Sequence, residues 1–61
     1  MAHTHDETLT ATQAQLPEAV DVAQVYPDDD TQWWVEDVSH NVFAYAWWET
    51  QTELLTKPYH P

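Results

Sequence analysis

From Thr31 to Thr50 the chain reads TQWWVEDVSHNVFAYAWWET, an apolar stretch with most of its polar residues gathered at 36–41. Its rings and β-branched side chains favour strand. The sequence holds no glycine, so a tight hairpin here must turn on residues that tolerate positive φ. His40 and Asn41 are of the types enriched there. With His40-Asn41 as a two-residue loop, Val38 faces Phe43, Val35 faces Ala46, Trp34 faces Trp47 and Trp33 faces Trp48. Aromatic pairs directly across a hairpin contribute roughly 0.2–1 kcal/mol each beyond alanine pairs. Strand alternation then puts Trp34, Trp47, Val38, Phe43 and Tyr45 on one face. Trp33, Trp48, Val35, Val42, Ala44 and Ala46 lie on the other.

Both faces of this hairpin are apolar, and a lone two-stranded hairpin cannot cover either. Residues 19–26 can supply a third strand, since Val20, Val22 and Val25 are β-branched, and Pro27 with the aspartates at 28–30 then stops it. Leu54-Leu55 can cover part of a second face. The competing reading is an amphipathic helix over 31–55 with a stripe of Trp34, Val35, Val38, Val42 and Tyr45, capped by Asp30 or Thr31. It leaves Phe43, Trp47 and Trp48 off the stripe, so the hairpin is preferred. The expected fold is a small mostly-β or α+β single domain with flexible ends. Residues 1–14 are a polar, flexible N-terminal arm in which a short helical turn can form around Thr8 to Gln15. Residues 15–55 are the folded module, and residues 56–61 an extended, proline-punctuated tail.

Size changes the picture first. Sixty-one residues bury only about 60% of the surface an unfolded chain of that length exposes. Small domains usually add disulfides, a metal, an oligomer or a partner. The chain has no cysteine, which removes disulfides and cysteine-ligated metals and leaves the redox compartment open. A homodimer can supply the missing burial. The first residues, MAHTHDETLTATQ, lack the basic and apolar regions of a signal peptide. No apolar run approaches the roughly 20 residues of a membrane helix. The expected setting is cytoplasmic or virion-associated.

Charge narrows function further. Eleven aspartates and glutamates stand against one lysine and no arginine, a formal net charge of −10. Such a surface repels nucleic acid and anionic membrane and attracts basic protein. Direct nucleic-acid contact also needs cations to displace counterions, and only Lys57 is present. Catalysis is not expected. Ser39 and His40 are neighbours in a turn, glycine for a phosphate loop is missing, and so short a chain can hardly bury paired carboxylates. His3 and His5 beside Asp6-Glu7 suit at most a weak metal-binding peptide. No cofactor is expected.

The acids cluster at Asp28-Asp29-Asp30 and Glu36-Asp37, flanking the aromatic stretch. Tryptophan and tyrosine are enriched in binding hot spots. The first expectation is therefore a non-enzymatic acidic binding protein that docks on a basic surface of a larger protein. Its sharpest form is a nucleic-acid-mimicking inhibitor, with Asp28, Asp29, Asp30, Glu36, Asp37 and Glu49 in place of phosphates. Trp33, Trp34, Trp47 and Trp48 would supply the desolvated contacts. The alternative is an accessory or structural subunit of a larger assembly or virion.

Overall fold

The computed structural model describes residues 3–16, 21–29 and 31–59. One helix is followed by four strands: α1 (His5–Gln15), β1 (Gln24–Pro27), β2 (Gln32–Glu36), β3 (Val42–Trp48) and β4 (Leu54–Pro58). The strands form one antiparallel sheet in chain order. The fold is a small mostly-β, α+β domain, and the hairpin reading of 31–50 holds over the helical one. The third strand lies at the end of the expected segment. Residues 17–20 fall outside the described residues.

Helix α1 occupies most of the segment expected as an arm. Its start is a capping box: the Glu7 amide donates to Thr4 Oγ1 at 3.1 Å and the Thr4 amide donates to Glu7 Oε1 at 3.0 Å. Asp6 and Glu7 in the first turn complement the helix dipole. At the other end Leu16 turns extended, with its amide donating to Thr12 O at 3.1 Å. The residues this helix buries completely are Thr8 and Thr12. Each hydroxyl donates back one turn, Thr8 to Thr4 O at 3.0 Å and Thr12 to Thr8 O at 2.7 Å. With its proton so used, a buried threonine presents mainly its methyl group to the core. Leu9, Ala11 and Leu16 complete the packing face.

The core lies between α1 and one face of the sheet. Val22, Val25, Val35, Ala44, Ala46 and Leu54 are buried there, with Trp33, Phe43 and Trp48 packed against them. The register departs from expectation. Trp33 pairs with Ala46, Trp34 with Tyr45 and Gln32 with Trp47, so the strands slide by two residues and neither tryptophan pair is directly opposed. The reason is the turn. Asp37 N–H donates to Asn41 O at 2.9 Å and His40 N–H to Asp37 O at 3.0 Å, closing a three-residue loop of Val38, Ser39 and His40. His40 takes the left-handed position at its end with φ 67°, as three-residue hairpin loops require. Asp37 Oδ1 holds the loop by accepting from Ser39 N at 2.9 Å and Asn41 N at 3.0 Å. Val38, expected on a strand face, is exposed at the tip.

A β-bulge next to the turn absorbs the odd residue. Val35 pairs with Ala44 but Glu36 pairs with Val42, which leaves Phe43 as the extra residue on β3. A slip of two residues preserves which side chains share a face, whereas a slip of one would exchange them. Trp34, Tyr45 and Trp47 therefore still lie together, and so do Trp33, Val35, Ala44, Ala46 and Trp48.

Candidate functional site

The face of the sheet turned away from the core is lined with rings. Pairing across all four strands sets Tyr26, Trp34, Tyr45 and Lys57 in one row. Gln32, Trp47 and Leu55 form the next row. Tyr59 lies just past β4 and is tied to the sheet by its amide, which donates to Phe43 O at 2.9 Å. Its ring stands edge-on to two others, with centroids 5.3 Å from Trp34 and 5.1 Å from Tyr45, both at 85°. Trp34 and Tyr45 close the triangle at 4.6 Å and 42°. Edge-to-face contacts of this kind contribute about 0.5–1.5 kcal/mol beyond burial. Trp34, Tyr45, Trp47 and Tyr59 are half-buried, and Tyr26 is 45% exposed. Among the described residues the only helix, α1, belongs to the core side.

Carboxylates meet this face at its borders. Glu36 Oε1 accepts from the Tyr26 hydroxyl at 3.3 Å and lies 3.2 Å from His40 Nδ1. Glu49 Oε2 accepts from the Trp47 indole N–H at 2.9 Å. Desolvation first, then the charge and hydrogen bond of Glu36, raises the Tyr26 hydroxyl above the usual tyrosine range. Desolvation, Tyr59 and the charge of Asp28 raise Tyr45 likewise. Asp28, whose amide donates to Gln32 O at 2.9 Å, continues the β1–β2 pairing into the row of Gln32 and Trp47.

The other expected site residues have different surroundings. Asp29 is turn chemistry: its Oδ1 accepts from Thr31 N at 2.7 Å, Thr31 Oγ1 at 3.0 Å and Gln32 N at 2.9 Å. These bonds, led by those from Thr31, hold its carboxyl below the usual range. Asp37 plays the same part in the β2–β3 turn, and Asp30 lies outside the described residues. Trp33 and Trp48 face the helix. The Trp48 indole donates to Thr8 Oγ1 at 3.0 Å, and its ring stacks on His3 at 3.6 Å and 4°. Trp33 packs on the core, with His5 tilted against it at 6.2 Å. The expected set thus divides: Asp28, Trp34, Glu36, Trp47 and Glu49 belong to the open face, and Asp29, Trp33, Asp37 and Trp48 to turns and core.

The open face also contains tyrosines that were not expected as site residues. Tyr45 shares alternation with Trp34 and could have been included on that signal. Tyr26 and Tyr59 join only through the β1–β2 and β3–β4 pairings.

The N-terminal histidines separate. His3 Nε2 lies 2.7 Å from Gln51 O and His5 Nε2 lies 3.0 Å from Val25 O. Among the described residues no three histidine, aspartate or glutamate side chains converge as a metal site. A cleft of about 600 Å³ opens near the β3–β4 turn, lined by His3, Trp47, Trp48, Glu49 and Lys57 among others. Among the described residues no helix is long and apolar enough to cross a membrane. Comparison with protein-family models, with characterised proteins and with solved structures gave no match.

Proposed function

We propose that this protein is a non-enzymatic acidic binding protein that docks on a basic surface of a larger protein. The observation that carries the reading is the open face, where Trp34, Tyr45, Tyr59 and Trp47 lie between the carboxylates Glu36 and Glu49. Rings supply contact area at little entropy cost, and the carboxylates steer a cationic surface onto them. The net charge of −10 extends that steering beyond the contact itself. In its sharpest form the partner surface is a nucleic-acid-binding groove, occupied competitively.

Affinity capture from native lysate at low and high salt, followed by identification of the partner, tests the reading. The expected result is a basic protein captured at low salt, lost as the screening length falls below about 10 Å near 0.1 M, and displaced by duplex DNA. Salt-resistant capture of a multi-subunit assembly would instead favour an accessory subunit, which would bury the same rings. Retention of a basic partner in the presence of excess DNA would remove the mimicry but not the docking.

A further inference from the structure

The two edges of the sheet are finished differently. On β1, the Asp28 amide bonds Gln32 O, so the alternation of an antiparallel ladder turns the peptide groups of Val25 and Pro27 outward. Val25 N–H donates to Gln24 Oε1 at 3.1 Å, and Val25 O lies 3.0 Å from His5 Nε2. Pro27 has no N–H to offer. That edge is closed from within the chain. On β4, the bonds from Tyr59 N to Phe43 O and from Glu49 N to Glu53 O, each at 2.9 Å, fix which groups face β3. Residues 53, 55, 57 and 59 bond inward, and Leu54, Thr56 and Pro58 turn their peptide groups outward. Among the described residues nothing meets the outward N–H and C=O groups of Leu54 and Thr56. Such an edge is a template for another strand.

We infer that β4 is a self-pairing edge: two copies of the chain join β4 to β4 antiparallel, with Leu55 opposite its own counterpart. In this register Leu54 of each copy lies opposite Thr56 of the other, and the four outward N–H groups meet four outward C=O groups. A register centred on Thr56 would set Leu54 against Pro58, which has no N–H to give, and would leave Leu54 O bare. Centring on Leu55 also places Glu53 of each copy across from Lys57 of the other. Both side chains are exposed and share the face of Leu55. The chain's only lysine thus meets a carboxylate twice per dimer, and opposite charges directly across a ladder stabilise it.

The pair closes on itself. Its two-fold axis stands perpendicular to the sheet, so the four strands of each copy run on as one sheet with both ring faces on the same side. The outer edges are then the two β1 strands, which are already closed. Assembly therefore stops at a dimer and does not grow into a fibre. Net charge opposes the contact, since each copy carries −10, and salt screens that long-range repulsion. Dimerisation accordingly strengthens with salt, whereas docking on a basic surface weakens.

Sedimentation equilibrium of the full chain, over a series reaching millimolar concentration and at salt below and above about 0.1 M, tests the inference. The expected result is a monomer–dimer equilibrium that favours the dimer at the higher salt. Hydrogen exchange at the Leu54 and Thr56 amides should slow most as the dimer forms. At the higher salt, Glu53→Lys and Lys57→Glu each set like charges opposite and weaken the dimer about tenfold, the scale of two cross-strand pairs. Mixing the two variants restores dimerisation, because both cross-strand pairs are then of opposite charge. A monomer throughout the series overturns the inference. So does a dimer that neither variant weakens, or one that leaves the Leu54 and Thr56 amides unprotected, because the interface then lies elsewhere. Each of these results leaves docking on a basic surface standing, and failure to capture a basic partner leaves the β4 dimer standing.

Discussion

On the helix side of the sheet, Trp48 is fixed by a ring stacked at 3.6 Å and a hydrogen bond to a buried threonine. On the other side, Trp34 meets Tyr45 and Tyr59, and the polar atoms of neighbouring rings run out to carboxylates at the border. The covered face mixes large and small residues, with Trp33 across from Ala46, and closes on α1 through Thr8, Leu9 and Thr12. The open face has no alanine or valine in its two central rows and instead sets ring beside ring. Each tryptophan doublet contributes one member to each face because strand residues alternate. Adjacent tryptophans therefore have unlike roles, one in the fold and one on the face proposed here for binding. Composition alone, which counts four tryptophans, cannot separate them.

Truncating the two kinds of tryptophan should expose the difference most clearly. Trp48→Ala removes core contact and the Thr8 bond and should cost about 3 kcal/mol of stability. Trp34→Ala should cost only about 1 kcal/mol, the scale of its ring contacts, while strongly reducing capture of a basic partner. Denaturant unfolding of both variants checks this, and equal stability losses would break the distinction between the faces.

The anchorage of α1 gives the next largest effect. Thr4→Ala deletes half of the capping box and should destabilise by about 1 kcal/mol. If α1 is what covers the core face, the same change should increase hydrogen exchange across β1 and β4, the strands it contacts. Unaltered exchange there would mean that the helix is not what closes that face.

His40→Gly sharpens the comparison from the turn. Relief of the left-handed residue should raise stability by about 0.5–1 kcal/mol, partly offset by the lost contact to Glu36. The ring face lies on the strands and should keep its binding properties. Thermal unfolding and a titration with octa-arginine, standing in for a basic surface, test both halves.

The smallest effect concerns pH. Glu7, held low by the backbone and hydroxyl of Thr4, and Asp29, held low by Thr31 and Gln32, have depressed folded pKa values. Each contributes stability that is present above its ordinary carboxylate pKa and is lost as pH falls through the depressed folded value. Thr31→Ala should flatten that acid limb slightly without changing the alkaline behaviour of Tyr26 and Tyr45. Those tyrosines, raised in the folded state, lose stability as pH climbs above about 10. Stability measured against pH for the two forms reads the effect.

Alternation made the faces of residues 32–35 and 44–48 legible, because a period of two survives any even slip in register, but the bulge turns Phe43, expected beside Trp34, onto the core and puts Val42, expected beside Trp33, in register with Glu36. The register itself was not legible. Matching both tryptophan pairs requires a two-residue loop, but Asp37 supplies a side-chain oxygen that stabilises a three-residue one. His40 as a positive-φ residue was readable from the lack of glycine, while Asn41 does not share that role. Helix α1 was hidden because its buried positions are threonines, which carry no hydrophobic periodicity. Its Thr4-x-x-Glu7 capping signature was nonetheless written in the sequence. Among the acidic residues, Asp29 and Asp37 read as partner-facing charge, yet their oxygens are turned onto nearby amides of their own turns. Only pairing of β1 and β4 with the hairpin brings Tyr26 and Tyr59 to the ring face, and that pairing has no local signal.

The two tryptophan faces should divide between folding and binding. The indole N–H resonances of the four tryptophans, followed by nitrogen–proton correlation spectra while octa-arginine is added, test it most directly. Trp34 and Trp47 should shift saturably, with Trp33 and Trp48 near their starting positions. Movement of Trp33 and Trp48 with Trp34 and Trp47 unmoved would contradict it.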